Sequence, residues 1–244
     1  MKIEYKEIKD ANTIQITTTD ERWYLHPEYK QWIPSSTWIC SYVPSKELAV
    51  WMAKKGWDEA ELIKQEAGSK GSRVHKGIEV LISGGEVKHN ECFTDGNGDF
   101  KELSVEEYEA IISFKAWCDE VNPKFVASEN TVFNTELNYA GTLDCLAEIN
   151  NELYLIDFKT SAEIYPSHKY QISSYLHCDS IKKLHNVKLA VLQVGYKRNK
   201  KKFKFTEIED EFDGFLAAKV FWAKENLNKQ PLQKDLPTTI KLGA

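Results

Sequence analysis

Residues 140–161 run AGTLDCLAEINNELYLIDFKTS. Two apolar-alternating runs flank Asn150-Asn151, the residue type that tolerates the positive φ of a two-residue hairpin turn. With that turn, Ile149 pairs with Glu152. Counting outward then sets Asp144 opposite Asp157 and Thr142 opposite Lys159. Side chains alternate faces along a strand. One face therefore carries Thr142, Asp144, Asp157 and Lys159 at one end and Leu146, Glu148, Leu153 and Leu155 at the other. The opposite face carries Leu143, Cys145, Ala147, Ile149, Tyr154, Ile156 and Phe158 and is core-like. Directly opposed carboxylates on paired strands lie about 5 Å apart at Cβ and repel. Three things can sit between them: a shared proton, the Lys159 ammonium, or a divalent cation. Oxygen ligands favour Mg²⁺ or Mn²⁺. The plainer alternative is an Asp–Lys ion pair on an exposed strand end.

Around this hairpin the chain alternates helices and strands. Ser45 can cap a helix running to Gly56, and helices are expected over about 58–67 and 71–82. Residues 21–44 are aromatic and irregular, and 85–103 read as a loop. Ser104-Val-Glu-Glu107 is a capping box opening a helix to about Val121. Strands are expected over 124–133, 137–149, 152–159, 187–196 and 203–208, with helices over 167–178 and 211–228. The expected class is mixed α/β (α+β), with a central mixed sheet flanked by helices.

Composition narrows the function classes. The chain has 244 residues, 42% hydrophobic, with a formal net charge of −5. That length can bury a large core without staples. No apolar run approaches the roughly 18 residues of a membrane span, and the N-terminus has no apolar leader segment. The expectation is a cytoplasmic protein with no membrane partner. The five cysteines form no C-x-x-C pair and are odd in number, so reduced, buried thiols are expected rather than disulfides or a zinc ribbon. No G-x-x-x-x-G-K-[ST] occurs, so no nucleotide cofactor is expected.

Three further features bear on chemistry. In Gly71-Ser-Arg-Val-His75-Lys-Gly-Ile-Glu79, His75 and Glu79 share a helix face. They could add a metal ligand or form an ordinary surface pair. Gln171 and Tyr175 share a face of the later helix and could reach a phosphate or simply close the sheet. Residues 197–204 hold six cations in eight positions: Lys197, Arg198, Lys200, Lys201, Lys202 and Lys204. That run could grip phosphates or be a solvated turn. Arg73, with Lys64, Lys70 and Lys76, could line the same groove.

In order, His75/Glu79, Gly141-Thr-Leu-Asp144, Asp157-Phe-Lys159 and Gln171…Tyr175 resemble the PD-(D/E)XK nuclease superfamily, nearest to its RecB-like exonuclease branch of phage and plasmid enzymes. The resemblance covers about residues 68–196. It implies a restriction-endonuclease-like core at about 68–210, within a single domain spanning 1–244. An N-terminal, mainly helical extension would occupy about 1–67, and a C-terminal helix and tail about 211–244. It implies one or two Mg²⁺ or Mn²⁺ ions held by His75, Asp144, Asp157 and the backbone carbonyl of Phe158, with Glu79 acting directly or through water. Lys159 would position or deprotonate the attacking water. Gln171 and Tyr175 would support the site and contact DNA, alongside Arg73, Lys197, Arg198, Lys200, Lys201 and Lys202. The implied partner is linear duplex or single-stranded DNA, in a bacterial or phage-infected cell, with a recombinase, single-strand-binding protein or helicase as companion. Relatives with an iron–sulfur cluster use four cysteines that this chain does not align, so no cluster is expected. The implied activity is an exonuclease. A non-catalytic DNA-binding or assembly subunit and a sequence-specific endonuclease are the alternatives, and RNA cleavage stays open.

Overall fold

The structure is a computed structural model that describes residues 4–8, 13–18, 21–96 and 98–231. The expected C-terminal tail from residue 232 lies outside the described residues. The fold is mixed α/β. Its centre is a five-stranded sheet of order β11-β10-β9-β8-β7, formed by β7 (Lys124–Asn134), β8 (Tyr139–Ile149), β9 (Glu152–Lys159), β10 (Val187–Val194) and β11 (Phe203–Ile208). Only β9 and β10 pair in parallel; the other neighbours are antiparallel. The β8–β9 turn is the expected one. Asn150 and Asn151 take φ of 52° and 65°, the double positive φ that matches strand twist in a two-residue hairpin.

Helices cover both faces. On one side lie α1 (Ser36–Cys40), α5 (Pro166–Leu176) and α6 (Phe212–Asn226). Their Trp38, Ile172, Tyr175, Phe215 and Trp222 pack on Leu146, Leu155 and Leu189 of the sheet. On the other side lie α3 (Trp57–Ile82) and α4 (Val105–Val121). Their Val74, Ile78, Phe114 and Trp117 pack on Cys145, Ile156, Phe158 and Leu192. Alternate strand residues thus feed two cores, as a sheet buried on both faces requires. The Ser104/Glu107 capping box forms at the start of α4. No helix among the described residues is long and apolar enough to cross a membrane.

Four local expectations change. The helices expected at 58–67 and 71–82 are one helix, α3. It runs straight through Gly68 and Gly71, because helical glycine costs only about 1 kcal/mol each. Lysine–glutamate pairs Lys64–Glu61, Lys70–Glu66 and Lys76–Glu79 lie along the same helix. The N-terminal region is not mainly helical. It opens with an antiparallel four-stranded sheet, β1 (Glu4–Ile8), β2 (Thr13–Thr17), β3 (Arg22–Leu25) and β4 (Trp32–Pro34), followed by α1 and by α2 (Lys46–Lys55). The expected loop at 85–103 holds a short hairpin, β5 (Cys92–Thr94) and β6 (Phe100–Glu102). Strands of three to five residues carry too little alternation to be read in advance; pairing creates them. Finally, Leu143 packs with the α1/α5/α6 core, whereas Cys145 packs with the α3/α4 core. Strict alternation would put both on one face, so the pleat breaks at Asp144.

Candidate metal centre at the strand ends

The β8–β9 ladder has the expected register, from Ile149↔Glu152 to Cys145↔Ile156. It stops one pair short of Asp144 and Asp157. On its other edge β8 pairs Leu143 with Asn130 and Cys145 with Ser128, skipping Glu129 and Asp144. Glu129 has φ of 54°. A non-glycine residue in that left-handed region is strained, and such strain clusters at functional sites. The two irregularities face each other, and together they turn carboxylates into the gap where the strands part.

Asp144 fills part of the gap. Its Oδ2 accepts the Phe158 N–H at 2.7 Å, replacing the missing ladder bond. Its Oδ1 lies 3.5 Å from His75 Nδ1. His75 Nε2 lies 3.0 Å from the Phe158 carbonyl. A carbonyl only accepts, so Nε2 carries the proton there. Phe158 of β9 is therefore held by its N–H and by its carbonyl, through two side chains from separate elements. Burial opposes charge on His75, but Asp144 outweighs it and raises the imidazole pKa. Burial likewise opposes charge on Asp144, yet His75, Lys159 and the Phe158 N–H hold its carboxyl below the usual range.

Asp157 is the group whose needs the protein alone meets worst. It is 2% exposed. Oδ2 forms an ion pair with Lys159 Nζ at 2.6 Å, but neither oxygen accepts a well-aligned hydrogen bond. Burial pushes its pKa up to about 6, against the pull of Lys159 and with the help of Asp144. Burial also disfavours the Lys159 ammonium, but Asp157 and Asp144 overcome this and keep it protonated. Buried charge with unmet hydrogen bonding is costly, and a bound cation would relieve it.

Glu129 was not among the expected site residues. One atom each from His75, Glu129 and Asp144 lies within 4.8 Å of the others. Burial, then the Asp144 charge, pushes the Glu129 pKa up to about 7. Its sequence signal was faint: one acid inside a strand, opposite Asp144 only if the β7–β8 register is known. A register shift between Phe125 and Ala127 hides that register. Glu79 pairs with Lys76 at 2.8 Å and adds to the field on Glu129. His168, also unforeseen, sits on α5 one turn before Gln171. Burial and then the Lys159 charge push its pKa down to about 3, so it is neutral.

The Gln171/Tyr175 pair packs against β8 at Gly141. Gln171 Nε2 donates to Tyr175 Oη at 2.8 Å. The buried Tyr175 ring lies where a side chain on Gly141 would begin, 2.3 Å from the ideal Cβ position. Thus the glycine of G-x-x-D exists to admit the tyrosine of Q-x-x-x-Y. At 2% exposure Tyr175 is a strut and not a surface contact.

The basic residues are arranged differently from expectation. Arg73 does not line a groove: it is buried, bonded through Nε to Glu107 Oε1 at 2.8 Å and through Nη1 to Asp95 Oδ2 at 3.2 Å. It ties α3 to α4 and to Asp95. At the basic tip, Lys197 pairs with Glu106, Arg198 with Glu163, Lys201 with Glu120 and Lys202 with Glu109. Lys200 has no ion-pair partner among the described residues. Three of these four partners, Glu106, Glu109 and Glu120, lie on α4.

The geometry brings His75, Glu129, Asp144, Asp157, Lys159 and the Phe158 carbonyl together from α3, β7, β8 and β9. One imidazole and two carboxylates, His75, Glu129 and Asp144, form a set that could hold a hard cation, with the Phe158 carbonyl against His75; Asp157, expected as a ligand, lies outside that cluster and pairs with Lys159. Compared with known proteins, the chain matches no protein-family model and no curated sequence, so the likeness to PD-(D/E)XK nucleases rests on these residues alone.

Proposed function

We propose that this protein is a Mg²⁺- or Mn²⁺-dependent phosphodiester hydrolase acting on DNA, with a restriction-endonuclease-like core, and that it works as an exonuclease. One observation carries the reading. His75, Glu129 and Asp144, from three elements, bring ligand atoms within 4.8 Å of one another, and Asp157 pairs with the buried Lys159 but is left without aligned hydrogen bonds. A structural ion pair has no need of that excess negative charge. A cation-binding site does.

His75, Glu129 and Asp144 would hold the ion, with the Phe158 carbonyl and Asp157 as further ligands. The bound cation would polarise the phosphate and neutralise charge developing on it. The protein's own groups supply the rest. Asp144 and His75 fix the Phe158 backbone, so its carbonyl points one way. Lys159 stays protonated, so it acts as a hydrogen-bond donor that positions water and stabilises the charged phosphate. Water oxygen bonds to phosphorus as the ester P–O bond breaks, and the leaving oxygen takes up a proton. Glu79, ion-paired with Lys76 at 2.8 Å, would take up the water's proton.

The test is incubation of the purified protein with linear and closed circular DNA in Mg²⁺, Mn²⁺ or EDTA. Metal-dependent loss of linear DNA, abolished by Lys159→Ala, is the expected result. If that variant degrades DNA as fast as the parent, the reading fails. Discrete cuts in closed circles would move it to an endonuclease. Metal-stimulated binding without cleavage would favour a non-catalytic subunit.

A further inference from the structure

A groove of about 320 Å³ lies between the N-terminal sheet, α1 and α3. Its α3 wall is Gln65, Gly68, Ser69 and Ser72, spaced three or four apart on one helix face. Continuing that spacing reaches His75 and Glu79. The groove therefore runs along the helix face that enters the metal centre. Between the two, Thr160 Oγ1, one residue beyond Lys159, lies 3.7 Å from where a Cβ on Gly71 of α3 would sit. On the far wall Thr37 accepts a hydrogen bond from Gln171 Nε2 at 3.2 Å. That links the groove to the helix bracing Gly141.

The hydroxyls of this groove divide: Ser41 and Ser72 donate to the Trp38 and Gly68 carbonyls at 2.7 and 3.1 Å, while Thr18 and Thr37 accept. Thr18 Oγ1 accepts the Glu21 N–H at 3.1 Å, and Thr37 Oγ1 accepts from Gln171. Thr18 and Thr37 each accept one hydrogen bond from the protein and keep their hydrogens to give. Arg22 lines the same groove and has no ion pair or side-chain hydrogen bond among the described residues. The other arginines, Arg73 and Arg198, are both ion-paired. The one carboxylate in the lining, Glu21, is occupied by Trp23 Nε1 at 2.8 Å and Lys229 Nζ at 2.6 Å. Donors and an unspent guanidinium, with the acid neutralised, describe a site for an anion with several oxygens.

We infer that this groove is a phosphate-binding subsite that seats the backbone of a single nucleic-acid strand next to the scissile bond. The inference rests on the phosphodiesterase reading for the identity of the strand. At about 320 Å³ the groove has room for the backbone of one strand. The phosphate bound can be an internal diester or a terminal monoester.

The test is binding of a single-stranded dodecamer to the full chain in EDTA, with and without a terminal phosphate, over a range of salt. It compares the parent, Arg22→Ala, Arg22→Lys and Thr37→Val. Arg22→Ala is expected to weaken binding about tenfold and to lower the slope of log affinity against log salt by about 0.7, one single-strand phosphate. Arg22→Lys should keep the slope, because it keeps the charge. Loss confined to phosphorylated ends assigns the terminal monoester, and equal loss assigns the internal diester. An unchanged affinity and slope in Arg22→Ala, no binding by the parent, or equal Arg22-dependent binding of duplex overturns the inference. Hydrolysis is not needed for this readout. Arg22-dependent binding in a protein that cleaves nothing keeps the groove and removes the nuclease. Cleavage with unaltered KM in Arg22→Ala does the reverse.

Discussion

The strand-end centre and the basic tip at 197–204 both concentrate charge, and they use it in opposite ways. The tip has six cations in eight residues. Four of them meet a glutamate across open solvent. Exposed pairs of this kind contribute about 0–1 kcal/mol and are screened by salt. The centre has fewer charges, but they are buried, share partners and include an acid without aligned hydrogen bonds. Density of charge is a poor guide to chemistry. Charge that the fold has enclosed without fully pairing is a better one.

The largest test of that contrast is activity. Lys159→Ala and Asp157→Asn should each lower DNA hydrolysis in Mn²⁺ by about 100–1,000-fold, the scale of losing a group that stabilises developing charge. Reversing Lys201 and Lys202 to Glu should change it less than about threefold, as expected for surface charges. If the order is inverted, the tip is the functional region.

Gly141→Ala comes next. The Tyr175 ring must move to admit a methyl group, which should cost about 1–3 kcal/mol in urea unfolding. An unchanged midpoint would mean the ring yields freely and is no strut.

Glu129→Gln should weaken Mn²⁺ binding by about tenfold in calorimetry, within the range for loss of one contributor to a site. Affinity equal to the parent's would remove Glu129 from the ligand set.

The pH dependence of stability is a smaller effect. The folded-state pKa of Asp157 is raised to about 6 and that of Glu129 to about 7. A carboxyl whose folded pKa lies above its unfolded value favours folding while protonated, and that advantage is lost as pH rises through the folded pKa. The raised His75 pKa works in the same direction, while the lowered Asp144 pKa works against it at more acid pH. In EDTA, the melting temperature should fall by roughly 2–6 °C between pH 5 and pH 7.5. Glu129→Gln should flatten part of the fall, and Mn²⁺ should restore more stability at pH 7.5 than at pH 5. A melting temperature that rises over this window in EDTA contradicts the charge balance described for the centre.

Much of this was legible in the chain. The Asn-Asn turn and the alternating runs around it define the β8–β9 register, because positive φ and period-two patterning are local properties. The Ser104/Glu107 cap was legible for the same reason. His75, Asp144, Asp157, Lys159, Gln171 and Tyr175 could be named from spacing. Glu129 could not, since its role depends on a bulge that shifts β7 against β8. Nor could the burial of Arg73, which depends on a turn and a helix that meet α3 in space.

Residue order alone determined the hairpin, the helix caps and the list of chemically able side chains, because each follows from backbone preferences within a few residues. Tertiary structure decided which of those side chains meet. The ladder ends one pair before the two aspartates, α3 carries His75 to the Phe158 carbonyl, and α4 spends its glutamates on the basic tip. Those outcomes depend on packing between segments far apart in the chain, where no local periodicity reaches.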